Sequence, residues 1–297
     1  MNERIKGTGV ALVTPFTRDL EPDLEALSKL VEHVVSGGVD YLVVLGTTGE
    51  SATLGRAEKQ EIFRAVARAN RGRLPLVAGI GGNHTAAVVA DLAETNLEGY
   101  EAILSVSPYY NRPTQEGIFR HFKTLSENSP LPLILYNVPS RTASNVLPET
   151  VLRLAASCGN LLGIKEASGD MAQIEALIRE APEGFMVISG DDLTAVPTVL
   201  AGGAGVISVL AQGIPGPFSR MIRLAMQGGA REALEAHHRI EPLVEMLFRE
   251  GNPAGIKALL SVQQICQPWV RLPLVPAGKA LQDDLEAFLH RILSGKG

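Results

Sequence analysis

The chain has 297 residues, of which 45% are hydrophobic and 20% charged, with a formal net charge of −5 and a pI near 5.8. That length can bury a sizeable core as one large domain with a small addition, and the composition is that of an ordinary globular protein. The acidic balance leaves no basic excess to neutralise phosphates, and aromatics at 5% offer little surface for stacking bases; both argue against a nucleic-acid partner.

Short apolar runs rich in β-branched residues alternate with longer amphipathic stretches. The first run is Gly9 to Phe16. It is followed by Asp23 to Ser36, where Leu24, Leu27, Val31 and Val34 recur at helical spacing. The next runs are Val39 to Leu45, Leu74 to Ile80, Glu101 to Ser107 and Pro132 to Val138. Pro148-Glu149 then opens a helix, with proline at its first position. The last runs are Leu161 to Lys165, Phe185 to Ser189 and Gly205 to Leu210. Most are nearly continuously apolar, as parallel strands covered on both faces should be. Eight strand–helix alternations predict an α/β fold. The number favours a closed (β/α)8 TIM barrel over a doubly wound open sheet. The barrel is expected to occupy residues 1–228. A small C-terminal helical domain over 229–297 would contain helices at about 230–249, 253–265 and 277–293.

Cys158 and Cys266 are far apart and in no metal-ligand spacing, so both are read as reduced core thiols of a cytoplasmic protein. The first residues have no apolar signal core behind them, and no apolar stretch approaches the ~20 residues of a membrane span. A soluble, unexported protein is expected.

Chemistry in such a barrel collects at the carboxyl ends of the strands. Lys165, in Gly163-Ile164-Lys165-Glu166-Ala167, lies inside the sixth run. Burial disfavours an ammonium ion and favours the neutral amine, a nucleophile toward carbonyls. The competing reading is a structural ion pair with Glu166 or Glu50; strand alternation, which points neighbours to opposite faces, weakens the first. Gly46-Thr47-Thr48-Gly49-Glu50-Ser51 follows the second strand. Its glycines permit a sharp turn with exposed backbone N–H groups, and its threonines add donors, so it suits a small carboxylate; an ordinary strand-to-helix turn is the alternative. Ser107-Pro108-Tyr109-Tyr110-Asn111-Arg112-Pro113 follows the fourth strand. With Tyr136, on the strand next to that of Lys165, these tyrosines read as a hydroxyl relay. Arg141, just past the fifth strand, can clamp a carboxylate bidentately.

Asp191 and Asp192 end the seventh strand and are read as capping residues rather than metal ligands. Gly190 and Ile207 would line the pocket through backbone atoms. Gly79-Ile80-Gly81-Gly82-Asn83 matches no dinucleotide fingerprint and reads as a close approach of backbones. The six histidines are assigned to surface or packing, and Lys257 to a structural role.

Together, Gly46 to Ser51, Tyr109-Tyr110, Tyr136-Asn137-Val138-Pro139-Ser140-Arg141-Thr142 and Gly163 to Ala167 resemble the dihydrodipicolinate synthase (4-hydroxy-tetrahydrodipicolinate synthase) family. This family shares a superfamily with N-acetylneuraminate lyase. The resemblance runs over essentially the whole length. The Tyr136 to Thr142 and Ser107 to Pro113 segments are the more specific to the synthase.

The resemblance implies a lyase that forms a Schiff base between Lys165 and pyruvate and condenses it with L-aspartate 4-semialdehyde. This is the first committed step of diaminopimelate and lysine biosynthesis. It implies that Thr47 and Thr48 hold the pyruvate carboxylate and that Thr48, Tyr136 and Tyr110 relay protons. Tyr110 would come from a neighbouring subunit of a homotetramer built from dimers. Arg141 would bind the semialdehyde carboxylate, and Gly190 and Ile207 would shape the pocket. No metal or organic cofactor is implied. Ser51, Ala52, Asn83 and Tyr109 match the family's lysine-inhibition site. Arg56 and Ala87 depart from it, standing where lysine-inhibited members carry histidine and glutamate, so weak or absent feedback is expected. The rival readings are a pyruvate-dependent aldolase acting on a sugar acid or hydroxy-oxoglutarate, and a non-catalytic oxo-acid-binding barrel.

Overall fold

A computed structural model describes residues 4–293, with side chains through residue 290. Its eight strands are β1 (Gly7–Ala11), β2 (Tyr41–Val44), β3 (Leu76–Gly79), β4 (Ala102–Val106), β5 (Leu133–Asn137), β6 (Leu161–Glu166), β7 (Met186–Ser189) and β8 (Gly205–Ser208). Each pairs in parallel with the next, and β8 returns to β1, closing the barrel and removing the open-sheet alternative.

The helices around it are α1 (Leu24–Ser36), α2 (Arg56–Asn70), α3 (Thr85–Glu94), α4 (Gln115–Asn128), the single turn α5 (Pro139–Thr142), α6 (Pro148–Ser157), α7 (Met171–Glu180), α8 (Ala195–Leu200) and α9 (Pro215–Met226). Beyond them come α10 (Ala230–Arg249), α11 (Ala254–Val262) and α12 (Lys279–Leu293).

Strand alternation divides the core in two. Leu42, Val44, Leu133, Leu135 and Ile164 face outward and pack under the helices. Tyr41, Val43, Ile134, Tyr136, Ile188 and Ile207 face inward and fill the barrel. α1 follows its sequence pattern: Asp23 accepts from the Ala26 N–H at 2.9 Å, and Leu27, Leu30, Val31 and Val34 are buried. Cys158 and Cys266 are buried and unpaired. At the β1–β8 seam, Gly205 has φ +145°, and a Cβ there would lie 2.1 Å from the Gly7 carbonyl oxygen. The closing strand therefore requires glycine at that point.

β1 departs from expectation. The apolar run reaches Phe16, but the strand begins at Gly7 and stops at Ala11. Leu12 still donates to the Val43 carbonyl, whereas the Val13 N–H donates to Gln212 Oε1 at 3.0 Å. The chain thus leaves the ladder while remaining buried. α11 is buried from Ala254 through Leu260 and packs into the core. Each of its fully buried leucines contributes about 1.5–3 kcal/mol of transfer free energy.

Candidate active site

Tyr136 and Lys165 are register partners on adjacent strands. Both point into the barrel near its carboxyl end, and Lys165 Nζ lies 4.2 Å from the centroid of the Tyr136 ring. Lys165 is 5% exposed and Tyr136 6%, so the amine meets a π face rather than bulk water. No carboxylate lies within 4.0 Å of Lys165 among the described residues, which leaves both structural pairings empty. Glu166 faces the other way and is fully buried. It accepts from Asn137 Nδ2 at 2.9 Å, Gln173 Nε2 at 2.9 Å and the Ser168 N–H at 2.7 Å. Glu50 is taken by Lys257.

Gly190, after β7, packs against the lysine stem. A Cβ there would lie 3.0 Å from both Lys165 Cγ and Cε, and 2.7 Å from Ala167 Cβ. Ile207 on β8 is 1% exposed and belongs to the inner cluster.

In the turn after β2, the residues with left-handed backbone are Leu45 (φ 59°) and Glu50 (φ 54°), not the bracketing glycines. Gly46 would leave room for a Cβ, its nearest neighbour being Val43 at 3.8 Å. Gly49 is held from below, where Thr14 Oγ1 donates to its carbonyl at 2.7 Å. Glu50 anchors the turn: it accepts from Lys257 Nζ at 2.5 Å and from the Arg271 N–H at 3.0 Å. The strain at Glu50, about 1–3 kcal/mol, persists because these partners over-determine it. Burial pulls the Lys257 pKa down, opposed by the attraction of Glu50. Thr48 is 3% exposed and Thr47 half-buried.

The loop after β4 places Tyr109 at 39% exposure and Tyr110 at 83%, the latter with φ 74°. Within one chain the Tyr110 ring projects into solvent and does not enter the pocket. Arg141 lies in the single turn α5 as an exposed side chain with no ion pair among the described residues.

A cavity of about 360 Å³ reaches some members of both groups of sequence candidates, though Lys165, Thr48, Arg141, Gly190 and Ile207 do not line it. Thr47 and Tyr136 line it toward the barrel, and Ser51, Arg56 and Ala87 line it toward α2 and α3. Arg56 there pairs with Glu94 and lies 3.8 Å from Asp91. Asn83 donates to the Tyr109 carbonyl at 3.3 Å, and Ala52 is exposed.

Asp192 accepts from the Leu210 and Val209 N–H groups at 2.9 and 3.2 Å, which makes it a cap for the short turn after β8. Asp191 accepts from the Leu193 N–H at 2.9 Å. Among the described residues, no cluster of histidine, cysteine, aspartate or glutamate could hold a metal. Gly79 does bring backbones together, since a Cβ there would lie 2.3 Å from the Leu45 carbonyl oxygen.

One functional candidate was absent from the sequence reading. Asn252, just before α11, donates from Nδ2 to Thr48 Oγ1 at 2.9 Å. An asparagine there reads as helix-start chemistry, and nothing in its spacing announces a contact 204 residues away.

The comparisons with known proteins agree with this geometry. Residues 4–292 match the model of the dihydrodipicolinate synthetase family. The 4-hydroxy-tetrahydrodipicolinate synthase of Flavobacterium psychrophilum is 52% identical, over 96% of this chain and 98% of its own. The crystal structure of dihydrodipicolinate synthase from Thermotoga maritima superposes with a TM-score of 0.94 at 38% identity, covering 97% of this chain and 98% of that one. The chloride-inhibited enzyme from Acinetobacter baumannii, complexed with pyruvate, gives 0.92 at 38%, covering 96% and 98%. With an eight-stranded barrel, an inward lysine beside a tyrosine, and relatives matched along nearly their whole length, the chain belongs to the dihydrodipicolinate synthetase family.

Proposed function

We infer that this enzyme condenses pyruvate with L-aspartate 4-semialdehyde through a Schiff base on Lys165, opening the diaminopimelate and lysine branch. The observation that carries the reading is the Lys165 amine, buried, 4.2 Å from the Tyr136 ring centroid and without a carboxylate partner among the described residues. An amine so placed adds to the ketone of a 2-oxo acid, and loss of water gives the imine. The imine withdraws electrons from the neighbouring methyl carbon, which gives up a proton and becomes an enamine nucleophile. That carbon attacks the semialdehyde's aldehyde carbon. The substrate's own amine then adds to the imine carbon, closing the ring and expelling Lys165.

Each step moves a proton, and the Thr48, Tyr136 and Tyr110 hydroxyls form the relay. Thr47 and Thr48 hold the pyruvate carboxylate. Arg141, exposed and without an ion pair among the described residues, receives the carboxylate of the second substrate. Gly190 and Ile207 shape the pocket, and no metal or organic cofactor enters the chemistry. Residues 1–228 are the catalytic barrel and 229–297 the helical domain of a cytoplasmic homotetramer. The exposure of Tyr110 fits a residue that completes a neighbour's site. Ala87 brings no carboxylate for an amino group, and Arg56 engages the neighbouring Asp91 and Glu94 carboxylates with its own cation, which supports insensitivity to lysine.

Borohydride reduction in the presence of pyruvate, followed by mass spectrometry, tests the reading. The expected result is a covalent adduct on Lys165 that is absent in Lys165→Ala. Turnover of sugar acids in preference to pyruvate plus semialdehyde would instead establish the aldolase alternative. An untrapped, still active enzyme would overturn the Schiff base.

A further inference from the structure

We propose that Asn252 is a positioning residue that sets the direction of the Thr48 hydroxyl proton. The proposal rests on the reading of Thr48 as a relay hydroxyl. Thr48 Oγ1 is buried in the turn after β2 and accepts from Asn252 Nδ2 at 2.9 Å. An amide NH2 can only donate. A hydroxyl that accepts from it keeps its single proton for another acceptor, and the chain thereby commits Thr48 to donate away from Asn252.

The second observation is the other half of the amide. Asn252 is 9% exposed, and its Oδ1 is buried with no hydrogen-bond partner among the described residues. An unsatisfied buried acceptor costs about 1–3 kcal/mol. A side chain retained only to pack, or only to bond the turn, could avoid that cost as a serine, an alanine or an apolar residue. The donor alone is used, which is what a device for orienting a hydroxyl requires.

The placement is rigid on both sides. Asn252 leads directly into α11, whose Lys257 grips Glu50 two residues after Thr48. The amide and the hydroxyl it addresses therefore belong to segments already tied by a buried ion pair at 2.5 Å. Small changes at Asn252 should alter the polarity of one hydrogen bond without releasing the turn.

The test compares Asn252→Ala, Asn252→Asp, Thr48→Val and the double variant Thr48→Val/Asn252→Asp. Borohydride trapping of pyruvate and thermal unfolding serve as controls that Lys165 and the fold are intact. Aspartate has the shape of asparagine, but its carboxylate only accepts, so it captures the Thr48 proton. The expected result is that Asn252→Asp lowers kcat at least as far as Asn252→Ala, by roughly tenfold or more. The KM for pyruvate should stay within about threefold of wild type. The kcat of Asn252→Asp relative to wild type should also fall as pH rises through the titration of the new carboxyl, because the neutral acid can still donate to Thr48. In the Thr48→Val background Asn252→Asp should have no further effect on kcat.

A packing or bonding role predicts the opposite order, with Asn252→Asp close to wild type and Asn252→Ala impaired; that order overturns the proposal. Losses that multiply in the double variant overturn it as well. If Thr48→Val itself keeps full kcat while Lys165→Ala is inactive, the relay reading of Thr48 has failed, and the proposal with it. Impaired Thr48→Val with normal Asn252→Asp sinks the proposal alone.

Discussion

The lysine stem of Lys165 can lie where it does because position 190 carries no side chain. A methyl group at Gly190 would press on Lys165 Cγ and Cε at 3.0 Å and on Ala167 at 2.7 Å. Gly190→Ala is expected to remain folded and to lower both the rate of imine trapping and kcat by about tenfold or more, since small misplacements of a reacting group are costly. Kinetics on the purified variant, with its thermal unfolding as the control, check this.

Asp192 gives a second prediction at the same scale. Burial pushes its pKa up from 3.8 to about 6, against the hydrogen bonds from Ser208, Leu210 and Val209. The folded state then holds this proton more tightly than the unfolded chain does. Its contribution to stability is complete below about pH 4 and is lost as pH rises through about 6. Asp192→Asn keeps an acceptor oxygen and removes the titration. In urea unfolding, the stability of Asp192→Asn relative to wild type should rise between pH 4 and pH 8 by on the order of 2 kcal/mol. A flat difference would show that Asp192 does not titrate in that window.

Between elements, the decisive structure is the clamp from α11 and residues 269–271 onto the turn after β2. Lys257 donates to Glu50 and to the Trp269 carbonyl, and its Nζ lies 4.2 Å from the Phe16 ring centroid. Arg271 pairs with Glu58 at the start of α2 at 2.5 Å. Lys257→Met would strand the Glu50 carboxylate, which is 1% exposed. Breaking a buried pair this way costs about 3–5 kcal/mol, so chemical denaturation should show a loss of that order. Replacing both partners with apolar residues should recover part of it.

This scale also shows what sequence can and cannot announce. The meeting of Tyr136 and Lys165 was legible because neighbouring parallel strands bring their carboxyl ends together. The conformation of the turn was not. Its glycines pointed to a sharp turn, yet the left-handed backbone falls at Leu45 and Glu50, and Glu50 is held by partners more than 200 positions away. Asn252 was invisible for the same reason: a contact between distant segments leaves no periodic trace.

For the molecule as a whole, the barrel was readable because eight nearly continuous apolar runs leave no edge strand exposed to water. The largest difference is at β1, which begins at Gly7 and ends at Ala11, with the Val13 N–H taken by Gln212 after the ladder stops. The position of Tyr110 is the feature that one chain does not explain. If it serves a neighbour, Tyr110→Phe and Lys165→Ala should complement each other. Mixed dimers would contain one intact site in two, and statistical reassembly should restore roughly a quarter of wild-type activity. Continued inactivity after verified exchange would place Tyr110 in its own chain's chemistry or in none.

The chain contains a single tryptophan, and it lies in the clamp, giving its carbonyl to Lys257 at 2.7 Å. Its fluorescence is therefore a built-in gauge of the place where the C-terminal segment seats on the turn and on the core it packs against. Circular dichroism followed beside that emission during refolding would time strand closure and this seating separately. Synthase activity should return with the light from Trp269, however early the strands close.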